Sequence, residues 1–146
     1  MSITAANAVL ILSVRDNAGA PILPATRIQQ FSTDDVYDVP AIKTAETQMG
    51  VDGNLAAGFI YVEIPQTYTL MADSPSNNFF DAWRLQELAA VEKFRATGQI
   101  ALPGISTKFN QVQGVLNDFV PVPQGKKVLQ ARHFVVVWQS IFPAPI

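Results

Sequence analysis

Nearly every position from Ala8 to Val14 is apolar, the pattern of a strand covered on both faces or of a short core strand. Asp16-Asn17-Ala18-Gly19 follows with turn chemistry. Ile22 to Phe31 reads as a second extended segment broken by Pro24. Proline cannot donate to a ladder, so this strand starts after Pro24 or lies at a sheet edge. Ser32 to Pro40 reads as a long loop, with Asp34, Asp35 and Asp38 set around Val36 and Tyr37. Two β-prone runs, Thr44 to Met49 and Asn54 to Phe59, flank Asp52-Gly53, a strong short-range hairpin signal. Ile60 to Ala72 then alternates. Ile60, Val62, Ile64, Tyr68 and Leu70 point one way, and Glu63, Thr67 and Thr69 the other, as in an antiparallel strand with one polar face.

A single long helix is predicted over residues 75–97. Ser74 suits its N-cap and Pro75 its first position. Asp81 and Arg95 sit where they complement the two ends of the dipole, and Gly98 is a natural residue just past the end. Phe80, Trp83, Ala90, Val91 and Phe94 share one stripe, widened by Phe79 and Leu88, which makes Phe80, Trp83, Val91 and Phe94 the candidate helix core. Arg84 and Glu87 fall in or beside it, either paired at i, i+3 or marking a polar contact with a neighbour. Extended segments resume at Gln99–Leu102, Lys108–Val120 and Val128–Phe142, separated by Pro-Gly-rich turns. Phe134 to Trp138 is apolar on both faces, so that strand is central in its sheet or meets another subunit on its second face. The tail Pro143-Ala144-Pro145-Ile146 reads as an arm unable to extend a sheet. There is no internal repeat and no second domain. Residues 1–146 form one mainly β (α+β) domain, an antiparallel sandwich or barrel of about seven strands flanked by one helix.

Composition narrows the function. The 146-residue chain has formal charge -2, and Lys126-Lys127 is its only adjacent basic pair, far from the footprint of a duplex binder. Charged residues make up only 15%, against roughly 25% in an average domain, with polarity supplied by amides as in Asn77-Asn78 and Asn110-Gln111. Such surfaces are cheaper to desolvate in an assembly than ionic ones. The absence of cysteine excludes disulfides and thiolate metal sites. The N-terminus lacks a basic n-region, and the apolar run Val9 to Leu12 is too short to span a bilayer; the product is expected to stay in the cytoplasm.

Candidate chemistry is sparse. His133 is the one histidine, so no Ser-His relay has a second imidazole and no His, Cys and carboxylate set has zinc spacing. Gly50-Val51-Asp52-Gly53 lacks the lysine and helix of a phosphate loop. The carboxylates Asp34 with Asp35, or Asp52 with Glu63, have no fixed separation for glycoside chemistry. The aspartates of the loop lack the glycine and terminal glutamate of a calcium hand. The expectation is a protein without catalytic residues, cofactor or metal. A monomeric barrel that binds a small ligand remains the alternative of a different class.

The order of parts resembles the tail tube proteins of contractile-tailed bacteriophages (myoviruses), which include a small family loosely labelled phage tail structural or fibre protein. The resemblance lies in Met49-Gly50-Val51-Asp52-Gly53, Gly58-Phe59, Gln66-Thr67-Tyr68-Thr69-Leu70, and Ala72-Asp73-Ser74-Pro75-Ser76 leading into Phe79, Phe80 and Trp83. The Gly98 to Pro103 segment and the closing Val137-Trp138 also fit. It implies a virion structural protein whose hexameric rings stack into the inner tube of the tail, assembled in the host cytoplasm. Its partners would be its own copies, the tail sheath protein, the tape-measure protein, and the baseplate and tail terminator proteins. DNA would pass through at ejection without specific binding. The loop Ser32 to Ile42 would reach the adjacent ring, making Asp34, Asp35, Val36, Tyr37 and Asp38 candidate stacking residues. The lumen should be polar and mildly negative, and Glu63, Thr67 and Thr69 are its candidate lining. Baseplate or hub rings and secretion-system tubes share this architecture.

Overall fold

The computed structural model of the chain describes residues 7–31 and 36–146. Its elements are β1 (Val9–Arg15), β2 (Pro21–Ile28), β3 (Tyr37–Asp38), β4 (Ala45–Met49), β5 (Leu55–Phe59), β6 (Ile64–Leu70), α1 (Asn77–Ala90), β7 (Arg95–Leu102), a 3-10 turn (Pro103–Ile105), β8 (Thr107–Phe119), β9 (Arg132–Trp138) and β10 (Ser140–Pro145). The main sheet is antiparallel with the order β2-β1-β7-β8-β9-β6-β3, and β4-β5 form a separate two-stranded sheet.

One strand folds this sheet upon itself. β8 pairs β7 along its first half, with Gln99 opposite Asn110, and pairs β9 along its second, with Phe119 opposite Phe134. Where the halves meet, the β7 register slips between Ala96 and Gly98 and Gln113 takes a left-handed backbone, the mark of a bulge that bends a strand. β9 kinks at Gln139, whose N–H donates to Val112 O at 3.2 Å, and the chain re-enters as β10 beside the first half of β8. Both halves therefore face one core: Leu10, Leu12 and Val14 of β1, Tyr68 and Leu70 of β6, and Phe134, Val136 and Trp138 of β9.

The helix closes this core with Phe79, Phe80 and Trp83. Phe80 stacks on Phe134 with centroids 4.3 Å apart. Two of the four expected helix-core residues, Phe80 and Trp83, are fully buried. The other two are not on the helix. Val91 is the left-handed C-cap and 88% exposed, and Phe94 is buried but lies past the helix end. Leu88 is also exposed. The helix stops early because Glu87 turns inward: its carboxylate accepts the Phe94 backbone N–H at 3.1 Å and Lys93 Nζ at 3.2 Å. Glu87 thus pairs with Lys93 rather than Arg84, Arg95 opens β7, and Gly98 lies inside that strand. Ser76 rather than Ser74 takes the N-cap position; the Ser74 hydroxyl accepts the Ser76 N–H at 3.2 Å and donates to Gln29 O at 2.6 Å, while Ser76 Oγ accepts Gln29 N–H at 2.7 Å. The two serines tie the helix entry to the end of β2.

The C-terminal tail also departs from expectation, since Pro143 to Pro145 continue β10. Ile146 N–H points at Ser106 O across the ladder. By strand alternation the nitrogens of Pro143 and Pro145 then face the free edge, where no donor is needed. The break at Pro24 falls in β2, an edge strand, as its proline predicts.

Two stability outcomes follow from this packing. Trp83→Ala should cost about 3–5 kcal/mol in urea unfolding, as for a large aromatic lost from a core. Val91→Gly should stabilise by about 1 kcal/mol, because a β-branched residue is strained in the left-handed region and this one buries nothing; calorimetry should read it as a higher Tm.

Candidate functional site

Among the described residues three surfaces stand unpartnered, and the first is the β4-β5 hairpin. Asp52-Gly53 makes its turn as the sequence predicts. Gly53 has φ 88°, its N–H donates to Gly50 O at 3.0 Å, and Gly50 N–H donates to Asn54 O at 2.8 Å. Asp52 Oδ1 accepts the Asn54 backbone N–H at 3.1 Å and Oδ2 accepts its side-chain amide at 2.8 Å. Those bonds, the backbone one foremost, hold the Asp52 carboxyl below the usual carboxylate range. The strands pair only with each other, from Ala45 opposite Phe59 to Met49 opposite Leu55. Met49, Leu55, Phe59 and Tyr61 are exposed, and Val51 at the tip is fully so (110%). Phe59 and Tyr61 meet edge to face at 5.0 Å. A lone two-stranded hairpin is marginal in water, and clustered exposed apolar side chains mark interaction sites.

The second surface is an open groove of about 500 Å³. Tyr37, Ile42, Ile64, Leu102, Phe109 and Ile141 are among its walls, which are almost wholly apolar. Burial raises the Tyr37 hydroxyl pKa. The third surface is the outward side of the main sheet. On β9 it bears Val135 and Val137, half-buried beside Thr67 and Pro65 of β6, so β9 is central in its sheet and its second face is uncovered by any element among the described residues.

The sequence-predicted site residues do not gather into one patch. Asp34 and Asp35 lie outside the described residues. Of the three described members, Val36 and Tyr37 pack against the core and Asp38 is exposed. The loop is also interrupted, because Tyr37 and Asp38 pair with Tyr68 and Thr67 as β3. Of the proposed lumen residues, Glu63 is exposed but precedes β6, Thr67 is half-buried on its outward side, and Thr69 is only 7% exposed. Thr69 is covered because its hydroxyl meets His133 Nδ1 at 3.2 Å across the ladder. The alternation from Ile60 therefore overstated the strand, which begins at Ile64. Sequence reasoning found the hairpin but missed that it stands apart from the main sheet with its apolar residues exposed. Its signal was Val51, an apolar residue inside a Gly-rich turn where solvent favours polar ones.

A protein-family model described as tail fiber protein gp32 matches residues 1–142. The chain belongs to that family. It is thus a member of a family of phage tail proteins, with a tail-tube-like fold. Among solved structures, a chain of the PVC extracellular contractile injection system sheath–tube complex in its extended state matches at TM-score 0.55, with 16% identity over 94% of this chain and 88% of that one. A chain of the PVC sheath/tube terminator matches at TM-score 0.54, with 11% identity over 99% and 97%. A chain of the anti-feeding prophage baseplate matches at TM-score 0.50, with 13% identity over 99% and 98%. At these identities the likeness is one of fold. No curated protein matches the chain in sequence.

If the Asp52–Asn54 bonds hold the tip, the turn is tightest above the ordinary carboxylate pKa and loosens as pH falls through the lowered one. The Asn54 amide shift should titrate with Asp52, and Asp52→Ala should abolish that titration while leaving the Tm of the main fold unchanged.

Proposed function

We propose that the chain is the subunit of the inner tube of a contractile phage tail, forming hexameric rings that stack into a conduit for DNA ejection. The observation that carries this reading is the isolated β4-β5 hairpin with its exposed Val51, Leu55 and Phe59. Such a hairpin is ordered by docking elsewhere, and the apolar groove beside Tyr37, Leu102 and Phe109 offers a matching surface on a second copy. A heterologous contact of this kind repeats from copy to copy and closes into a ring when the rotation permits. It also covers the free edges that a sheet must manage.

The similarity to chains from sheath–tube and terminator complexes supports the sheath and terminator proteins as partners, with a tape-measure protein in the lumen before DNA. Among the described residues, exposed Glu63 and Asp38 and half-buried Thr67 are the members of the predicted sets available to a lumen or a stacked ring. The match to a baseplate chain along nearly its whole length favours a baseplate ring as the second reading. A monomeric ligand barrel is disfavoured because Tyr68, Phe80, Phe134, Trp83 and Trp138 fill the interior such a barrel keeps open.

Negative-stain microscopy with light scattering over a concentration series tests the proposal. Rings or hollow tubes are the expected result, and a monomer at every concentration, even with preformed baseplates added, opposes it. Val51→Asp should block assembly while changing stability by no more than about 0.5 kcal/mol, as for an exposed substitution. Tubes of normal length from that variant would remove the hairpin from the interface.

A further inference from the structure

We propose that the outward face of β2-β1-β7-β8 docks an acidic protein surface. Strand alternation places Leu10, Leu12, Val14, Ala96 and Ile100 in the core, so Ile11, Ser13, Arg15, Arg95, Thr97 and Gln99 stand on the other side. The ladders align them into rows. Arg27, Ile11, Gln99, Asn110 and Phe142 lie side by side across five strands. Arg15 is directly opposite Arg95, and Lys108 is opposite Ala101. The face thus carries Arg15, Arg27, Arg95 and Lys108, and no outward position of β1, β2, β7 or the first half of β8 carries a carboxylate; Asp118, in the second half of β8, stands opposite Val135 of β9.

Among the described residues, these cations form no ion pair. The ion pairs among the described residues use Lys43, Lys93 and Arg132 instead. Asp16, at the rim beside Arg15 and Arg95, is engaged by its own turn, with Oδ1 accepting the Ala18 and Ala20 N–H groups at 2.9 and 2.8 Å. Like charges placed directly opposite on neighbouring strands destabilise a sheet, so the Arg15–Arg95 pair is kept at a cost that a partner carboxylate removes. Charge is also segregated between the two sides of the fold. The outward face of β3, β6 and β9 bears Asp38 and His133 but no lysine or arginine.

The composition favours protein over nucleic acid as the occupant. Three of the four cations are arginines, whose planar fork fits a carboxylate with two parallel bonds. They are interleaved with exposed Phe142 and half-buried Ile11, and arginine with aromatics is the signature of protein interfaces. The chain as a whole is acidic, with pI about 5.2, whereas a nucleic-acid footprint makes a domain basic. This inference stands whether or not the copies close into rings, so its failure and that of the tube reading are separable.

The test is binding of fluorescent poly-L-glutamate to the full chain at pH 7, with a labelled DNA duplex alongside. Saturable polyglutamate binding is expected, weakening steeply with added salt. Arg15→Gln/Arg95→Gln and Arg27→Gln/Lys108→Gln should each weaken it about tenfold, while Lys43→Gln/Lys127→Gln, on other surfaces, leaves it unchanged. Thermal melts confirm folding, and the Arg15→Gln/Arg95→Gln variant should melt no lower than the wild type. Absent binding, equal loss in the control variant, or tighter binding of the duplex through the same arginines would overturn the proposal.

Discussion

The corner at which the sheet turns on itself is fixed by Trp138. Its indole lies directly on two backbones: a Cβ built at Gly114 falls 2.6 Å from the ring and one at Gly98 falls 2.8 Å from it. Both distances are shorter than any side chain tolerates, so two glycines in different strands exist to admit one ring. The indole Nε1 then donates to Gln66 Oε1 at 3.0 Å, the same oxygen that accepts the Tyr68 hydroxyl at 3.0 Å and the Gln111 side-chain amide. One acceptor thereby ties β6, β8 and β9 in the buried interior, where each donor left unmade would cost about 1–3 kcal/mol. Burial also drives the Tyr68 pKa far above that of a free phenol, so this network does not titrate in ordinary conditions.

The helix depends on that corner through a second clamp. Arg132, on the strand that ends in Trp138, is 5% exposed and pairs with Asp81 of α1 at 2.8 Å. The same guanidinium donates to Val120 O at 2.8 and 3.0 Å and lies 4.9 Å from the centre of Phe134. A guanidinium so buried costs more in desolvation than one ion pair returns unless its remaining donors are filled; Asp81 is 39% exposed, and the Val120 carbonyl and the aromatic face supply the rest. Asp81 therefore anchors the helix to β9, a role that its sequence position near the helix start does not reveal.

What the sequence made legible was local. Asp52-Gly53 names a hairpin because only that turn chemistry fits between two β-prone runs, and Phe80 with Trp83 names a buried face because both obey the helical period. What stayed hidden depended on partners distant in the chain. Val91 and Phe94 obey the same period, yet Glu87 ends the helix by capturing the Phe94 amide. Thr69 reads as outward until His133 covers it, and nothing in the local pattern shows that three donors converge on Gln66. The proline tail reads as an arm because the rule against proline in sheets ignores which edge its nitrogen faces. For the surfaces, the sequence gives residue types without neighbours, so the Arg15–Arg95 juxtaposition needs the register of β1 and β7 to be seen.

The division between a closed interior and open surfaces bears on how such a subunit works. All the large buried aromatics are engaged by the corner or the helix, and nothing in the hairpin contributes to that core. Substitutions at Val51 or Phe59 therefore act on association without first acting on folding, and the domain keeps its shape when its neighbours are removed. A tube pushed through an envelope needs that separation. In the proposed tube, the walls would transmit force through the packed body, while the contacts that set ring closure and stacking would sit outside the core, as the hairpin does. Under the proposed tube reading, a hairpin that is marginal alone would supply such a contact, with its ordering coupled to docking.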